Sequence, residues 1–525
     1  MKKLIFILFT ICVIAQEKEE QKEQQPFDLP ETIIYGKDYI SIQAGVKQYP
    51  DDTPILSKLE LDSLNSLEKQ QSLLLPKENL PKSFNAIVQE NGYIKGDFGR
   101  FTTSEFEAGL AFNINKFLLF AQTGMDISAG HTDNAEFTRL YGKLYSDYVA
   151  DDKFWVFGGS KTRSSLNLQL NRYNHYSVFN PNNRSLFNSD LGINTDGNYN
   201  GFDFKTGLNF SLNTFDDDSL NTNSRAIGAY LSIFNPLNKF RLGFNSRVEF
   251  RNELEQNNNH FNIGGTLGFV NRKVNFKAEV SFDLMNADTI TRSAPRLELL
   301  TDLKINNKNT IKLKAKSGLN RNIFDEKFNQ NPYLHLQSQI DHSYSIADVD
   351  LKWQYHSTKD LSIMIGPAFQ LADRNLNWVN LDSVFFAPTY LDGTVLSLSI
   401  ESYYQLGKSD KFDFFFKWQT TNADSTEKQF TYIPQINSEI AWNRKWTNNF
   451  NSVLSAEYVG ERFVDIENIN TLDAFVNVQL SINYRIFPKL MLRAKAENLA
   501  NQNIYIYNFF IERGVFGSVG VVWNF

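Results

Sequence analysis

The chain has 525 residues, 42% of them hydrophobic and 14% aromatic, yet its mean hydropathy is negative. That balance excludes a bundle of membrane helices and suits strands that offer only alternate residues to lipid. Removing Lys2 and Lys3 with an export signal leaves 51 basic against 59 acidic side chains, a net charge of −8, which gives no footing for nucleic acid.

Residues 1–15 read as a signal peptide. Lys2 and Lys3 form its positive end, Leu4 to Ile14 its apolar stretch, and Val13 and Ala15 its small-residue cleavage site. The competing reading, a membrane anchor, needs a longer apolar run. Cys12 is the sole cysteine and lies within the signal. Phe9-Thr10-Ile11 before it make a poor lipoprotein site. The mature chain then has no disulfide and no thiolate metal site.

Residues 16–30 are a polar, charged, flexible leader. Residues 31–90 read as a short periplasmic or reduced-plug segment. Glu31 to Val46 suits one or two strands. Ser57 and Glu60 are spaced as a capping box for a helix reaching Gln71.

From about residue 91 to residue 525 the apolar period is two. Val274, Phe276, Ala278, Val280, Phe282 and Leu284 alternate with polar residues, as do Ile311, Leu313 and Ala315 with Lys312, Lys314 and Lys316. A soluble sandwich would show the same rhythm, but in strands of about five or six residues. Here eleven residues at ~3.3 Å each, tilted ~45°, cover the ~25 Å apolar band of a transmembrane barrel. Nowhere after the signal is there a run of ~18 apolar residues for a spanning helix. The expected fold is an all-β, transmembrane antiparallel barrel of about 22 strands (20–22). Short turns fall near 235–238, 306–309, 407–410 and 487–489. Longer loops are expected at 169–197, 321–331, 373–392 and 499–513, on the external side. Tyr93, Trp155, Trp353, Tyr404, Trp418, Tyr484 and Trp523 suit interfacial girdles.

The last strand, Gly514 to Phe525, puts Val519, Val521, Trp523 and Phe525 on one face. Before it, Leu490 to Leu499 ends in Glu497-Asn498-Leu499, with Asn501 and Tyr505 following. Over these ~55 residues the chain resembles the end of the TonB-dependent receptor barrel. Another large barrel family, such as the porins, is the alternative. Glu31-Thr32-Ile33-Ile34-Tyr35 is similar to that family's TonB box, where an extended segment adds a strand to a partner's sheet. The same five residues could simply begin the periplasmic segment.

The resemblance implies an outer-membrane location in a Gram-negative bacterium, contact with outer-membrane lipid and assembly through the C-terminal strand by the barrel-assembly machinery. It also implies TonB, or another periplasmic protein, as partner of residues 16–90. The family's plug is longer than residues 16–90 allow, so inward-folded loops, an open pore or a partner must account for the lumen. The leading function is solute passage across the outer membrane. The alternative is a plugless barrel acting as an assembly platform for periplasmic or surface proteins.

No enzyme signature appears, so no catalytic, cofactor or metal residues are expected. His131, His175, His260, His335, His342 and His356 form no zinc motif. Gly517-Ser518-Val519-Gly520 lacks the hydrolase-elbow spacing. Asp216-Asp217-Asp218 reads as a solvated turn. Lys312, Lys314, Lys316, Arg493 and Lys495 would form a lumen-facing basic row favouring anionic solutes. The favoured alternative neutralises such lysines with inward Glu279, Asp283, Glu298 and Asp302.

Overall fold

The computed structural model describes residues 92–525, apart from 177–182, 218–219, 255, 359 and 383–384. The expected signal peptide, leader and periplasmic or reduced-plug segment 31–90, with Glu31–Tyr35, lie outside the described residues. Twenty-two antiparallel strands form one closed sheet. They are β1 (Gly92–Gly99), β2 (Thr103–Ile114), β3 (Phe117–Ser128), β4 (Phe137–Val149), β5 (Lys161–Asn174), β6 (Asn183–Tyr199), β7 (Phe202–Asp217), β8 (Leu220–Leu237), β9 (Phe240–Glu253), β10 (His260–Val270) and β11 (Val274–Ala287). The second half contains β12 (Ile290–Lys304), β13 (Asn309–Asn320), β14 (Ser343–Thr358), β15 (Leu361–Asn380), β16 (Phe386–Leu406), β17 (Asp410–Ala423), β18 (Ile436–Lys445), β19 (Phe450–Val459), β20 (Phe475–Phe487), β21 (Leu490–Glu497) and β22 (Phe516–Asn524).

Every strand pairs with its chain neighbours, and β22 closes on β1 from Tyr93↔Asn524 to Gly99↔Ser518. At the seam the Phe525 amide donates to the Gly92 carbonyl at 2.9 Å and the Gly92 amide to the Phe525 carbonyl at 3.2 Å. Closure leaves no unpaired edge, which hydrocarbon would not tolerate.

Alternation sorts the side chains. Phe98, Leu110, Val280, Phe282, Leu351, Ile440, Val519, Val521, Trp523 and Phe525 are exposed on the outer face. The inner face carries residues such as Asp97, Asp126, Asn171, Glu249, Arg251 and Gln479, all buried. Short connections gather at the end that holds Gly92 and Phe525, here the turn end. The longer ones, apart from residues 150–160 between β4 and β5, gather at the opposite, loop end.

Two expected loops are strands. The 169–197 region is mostly β5 and β6, and 373–392 mostly the extended β15–β16 hairpin. These strands rise with many polar residues, because a ladder of paired backbone groups does not require apolar side chains. At the turn end, Tyr404, Phe412, Trp442, Trp446, Phe450 and Tyr484 form a run of neighbouring rings 6.2–6.4 Å apart on the outer face. Tyr93 is different. It points inward across Gly109, where a β-carbon would collide with its ring, and donates to Glu107.

The chain between β4 and β5 turns outward. Phe157 packs edge-on against Phe204 at 5.7 Å, and Trp155 is exposed.

The face assignment is testable. Val280→Arg on the outer face should destabilise the barrel by about 2–4 kcal/mol if Val280 sits at the bilayer midplane. The inward Ser399→Arg should cost far less. Urea unfolding from lipid vesicles compares the two.

Candidate functional site

The inner wall mixes charges. Lys316 stands opposite Glu298 on one side and Asp348 on the other, with Nζ 3.7 Å from Asp348. Lys314 stands opposite Asp350, and Lys312 opposite Asp302 and Lys352. Lys352 reaches Glu401 at 2.8 Å. Glu279 pairs with Lys277 at 2.9 Å, while Asp283 meets His260 at 3.0 Å and Arg296 at 3.9 Å. Arg493 lies 3.9 Å from Asp97, and Lys495 stands opposite Ser518 and Ser481. β13 and β21 are eight strands apart, so the expected basic residues occupy two places rather than one surface.

The loop end is covered by the segment between β13 and β14, residues 321–342. It contains helix α1 (Phe324–Gln330), whose Phe324 and Phe328 are one turn apart on one face. Both rings meet Phe215 of β7 edge-on, at 5.2 and 5.0 Å. Asp325 accepts from Asn213 of β7 at 2.5 Å, Ser224 of β8 at 3.0 Å and Arg251 of β9 at 2.5 Å. Arg321 donates to both carboxylate oxygens of Glu249 at 2.8 Å, a fork geometry that fixes direction as well as charge. The Pro332 carbonyl accepts from Tyr173 and Arg184, each at 2.8 Å.

The same segment holds the opposite wall. The Phe386 amide donates to the Tyr333 carbonyl at 3.0 Å, and the His335 amide to the Phe386 carbonyl at 2.9 Å. Asp341 receives Arg292 of β12 at 2.7 and 2.9 Å, and also Arg374 of β15. Tyr333 stacks on Phe510 at 3.4 Å, and the Tyr507 hydroxyl donates to the Gln330 carbonyl at 2.7 Å. One loop therefore reaches β5–β9, β12, β15, β16 and the connection before β22. Around it Tyr176, Leu334, Leu336, Ile340 and Trp378 complete a buried apolar cluster.

The cover has its own electrostatics. Burial brings His342 down to about 4. Its Nδ1 accepts the Asn322 amide at 3.3 Å and its Nε2 lies 3.2 Å from the Asn286 carbonyl, so the imidazole ties the two stems of the loop together. His175 is fully buried among Tyr333, Phe385 and Phe510, and burial lowers it well below the usual imidazole range. For Asp341, burial raises the carboxyl, but the Arg292 hydrogen bond and the Arg374 charge hold it below its ordinary value.

Asp217 is not the solvated turn residue expected. It is buried at the end of β7, 3.6 Å from Arg184. Among the described residues, no three His, Cys, Asp or Glu side chains gather as a metal site. Sequence reading missed the cover, treating 321–331 as a polar loop. Its signal was the set Phe324, Phe328, Tyr333, Leu334, Leu336 and Ile340, too apolar for a solvated connection.

No protein-family model matches the chain, and no curated protein matches it. Solved structures do. The copper transporter OprC superposes with TM-score 0.65 at 11% identity, covering 83% of this chain and 80% of its own. The ferric-catecholate import receptor Fiu from E. coli K12 gives 0.65 at 7%, covering 83% and 82%. The FrpB iron transporter from Neisseria meningitidis gives 0.64 at 11%, covering 83% and 81%. At such identities the likeness is one of fold.

Asp325→Ala removes one of three carboxylates around Arg251 and the acceptor that Asn213 and Ser224 share, and should cost about 1–3 kcal/mol of local stability. Faster proteolytic cleavage within 321–342 would report it. The cover should also weaken in acid. His342 stays neutral when the loop is closed, so its contribution is complete above about pH 6.5. It is lost as the pH falls toward 4, by about 3 kcal/mol. Hydrogen exchange of the Asn322 amide across that range should show it, and His342→Gln should flatten the profile.

Proposed function

With a barrel of the TonB-dependent receptor fold as the premise, we propose that this protein carries a hydrophilic solute across the outer membrane. The carrying observation is a polar inner wall closed at one mouth by a loop anchored through ion pairs. The loop end faces outward and the turn end faces the periplasm, the usual arrangement of such barrels. A 22-stranded cylinder is too wide to stay empty without leaking. The 321–342 cover supplies occlusion at the outer mouth, and its anchors can be exchanged for contacts to a solute. The mixed wall charges favour neutral or zwitterionic polar solutes over a purely anionic cargo.

The coupling segment in this reading is Glu31-Thr32-Ile33-Ile34-Tyr35, which TonB would engage by strand addition. The C-terminal face of Val519, Val521, Trp523 and Phe525 meets the barrel-assembly machinery during insertion and lipid thereafter. The receptor fold shared with the named transporters supports transport over a purely structural platform.

In planar bilayers the wild-type protein should pass little current, and Asp325→Ala combined with Asp341→Ala should open nanosiemens-scale events. Steady large conductance from the wild type would show that the cover does not seal. A silent double variant would show that the loop is not the gate. Ile33→Pro should abolish capture by purified TonB, since proline removes a donor from the added strand. Undiminished capture would rule that segment out.

A further inference from the structure

The turns between β8 and β22 repeat one device. In successive hairpins the carbonyl of a turn residue accepts the amide near the end of the next hairpin's first strand. Lys239 accepts from Val270 at 2.9 Å, Lys273 from Lys304 at 2.7 Å, Lys308 from His356 at 2.7 Å and Lys489 from Asn524 at 2.8 Å. The same place is taken by Ser409 next to Lys408, and by Asn449. This relay lines the turns side by side along one rim.

The rim is basic. Lys239, Arg272, Lys273, Lys308, Lys408 and Lys489 are all exposed. Among the described residues, none of them has a carboxylate at ion-pair distance. Asp360 is the acidic member of these turns. At the loop end acidic residues predominate, with Asp133, Glu136, Asp382, Glu427, Glu461 and Glu467 exposed beside Arg100 and Lys428.

These cations sit within a few residues of exposed outer-face apolar side chains. Leu237 and Phe240 flank Lys239, Leu406 precedes Lys408, and Phe487 precedes Lys489. Above β17–β19 the Arg444 guanidinium lies 4.2 Å over the Trp446 ring. A cation so close to hydrocarbon-facing groups sits at headgroup height, with its stem along the apolar surface.

We propose that this rim, from the β8–β9 turn to Lys489, binds the headgroups of anionic phospholipids in the leaflet at the turn end. The row of charge matches a lipid phosphate surface, and the adjoining apolar belt makes that surface continuous with the bilayer. An acidic polypeptide would use the charge but not the belt.

The test uses the full-length protein in phosphatidylcholine vesicles containing trace spin-labelled phosphatidylglycerol or spin-labelled phosphatidylcholine. Electron spin resonance measures how strongly each is immobilised at the barrel. The wild type should hold phosphatidylglycerol at least about threefold better at low salt, and 1 M NaCl should erase the preference by screening. Substituting Lys239→Gln, Arg272→Gln, Lys273→Gln, Lys308→Gln, Lys408→Gln and Lys489→Gln together should bring the ratio to about one. Equal immobilisation of the two lipids by the wild type would overturn the proposal, and is the result expected if an acidic polypeptide holds the rim. A preference that survives the six substitutions, or that salt leaves intact, would also overturn it.

Discussion

Hydrocarbon satisfies no backbone amide, and every feature of this protein follows from obeying that constraint. The wall must close on itself, so β22 must meet β1, and the last residue completes the ladder through Gly92. Closure makes an inside and an outside from a single alternation. Apolar side chains then have one place to go, and charged ones the other.

The same closure creates the problem that the loop end addresses. Polar side chains line the inner wall, and an empty cylinder of this size would leak. The segment 321–342 covers its mouth with contacts of two kinds. Aromatic packing around Phe215, Phe324, Phe328, Tyr333 and Phe510 is non-directional and fills space. Asp325, Asp341 and Arg321 fix position, because a half-buried ion pair must be met in geometry to offset its desolvation. The second kind can be exchanged for water or solute, which suits a cover that opens.

The rhythm of two was legible because it is local. Strands such as Val274–Ala287 declare their faces within a few residues. Legibility failed where polar strands climb beyond the apolar belt, as in β5, β6, β15 and β16. There nothing forces every second side chain to be apolar, and the sequence reads as loop although the backbone is paired. Tyr93 was misplaced for a related reason. Its partner is a cross-strand glycine, Gly109, whose empty face admits the ring.

Sequence alone determined that this chain is a barrel of 20–22 strands and that Phe525 lies at the end of the short turns, since these depend on periodicity and on the last residues. Tertiary structure alone decided how the mouth is closed, which carboxylate meets each lumen lysine, and which turns stand side by side. Those contacts join groups far apart in the chain, Arg251 to Asp325 across 74 positions and Arg184 to Leu334 across 150. Such partners are chosen by where the closed wall places them, and no local pattern encodes that distance.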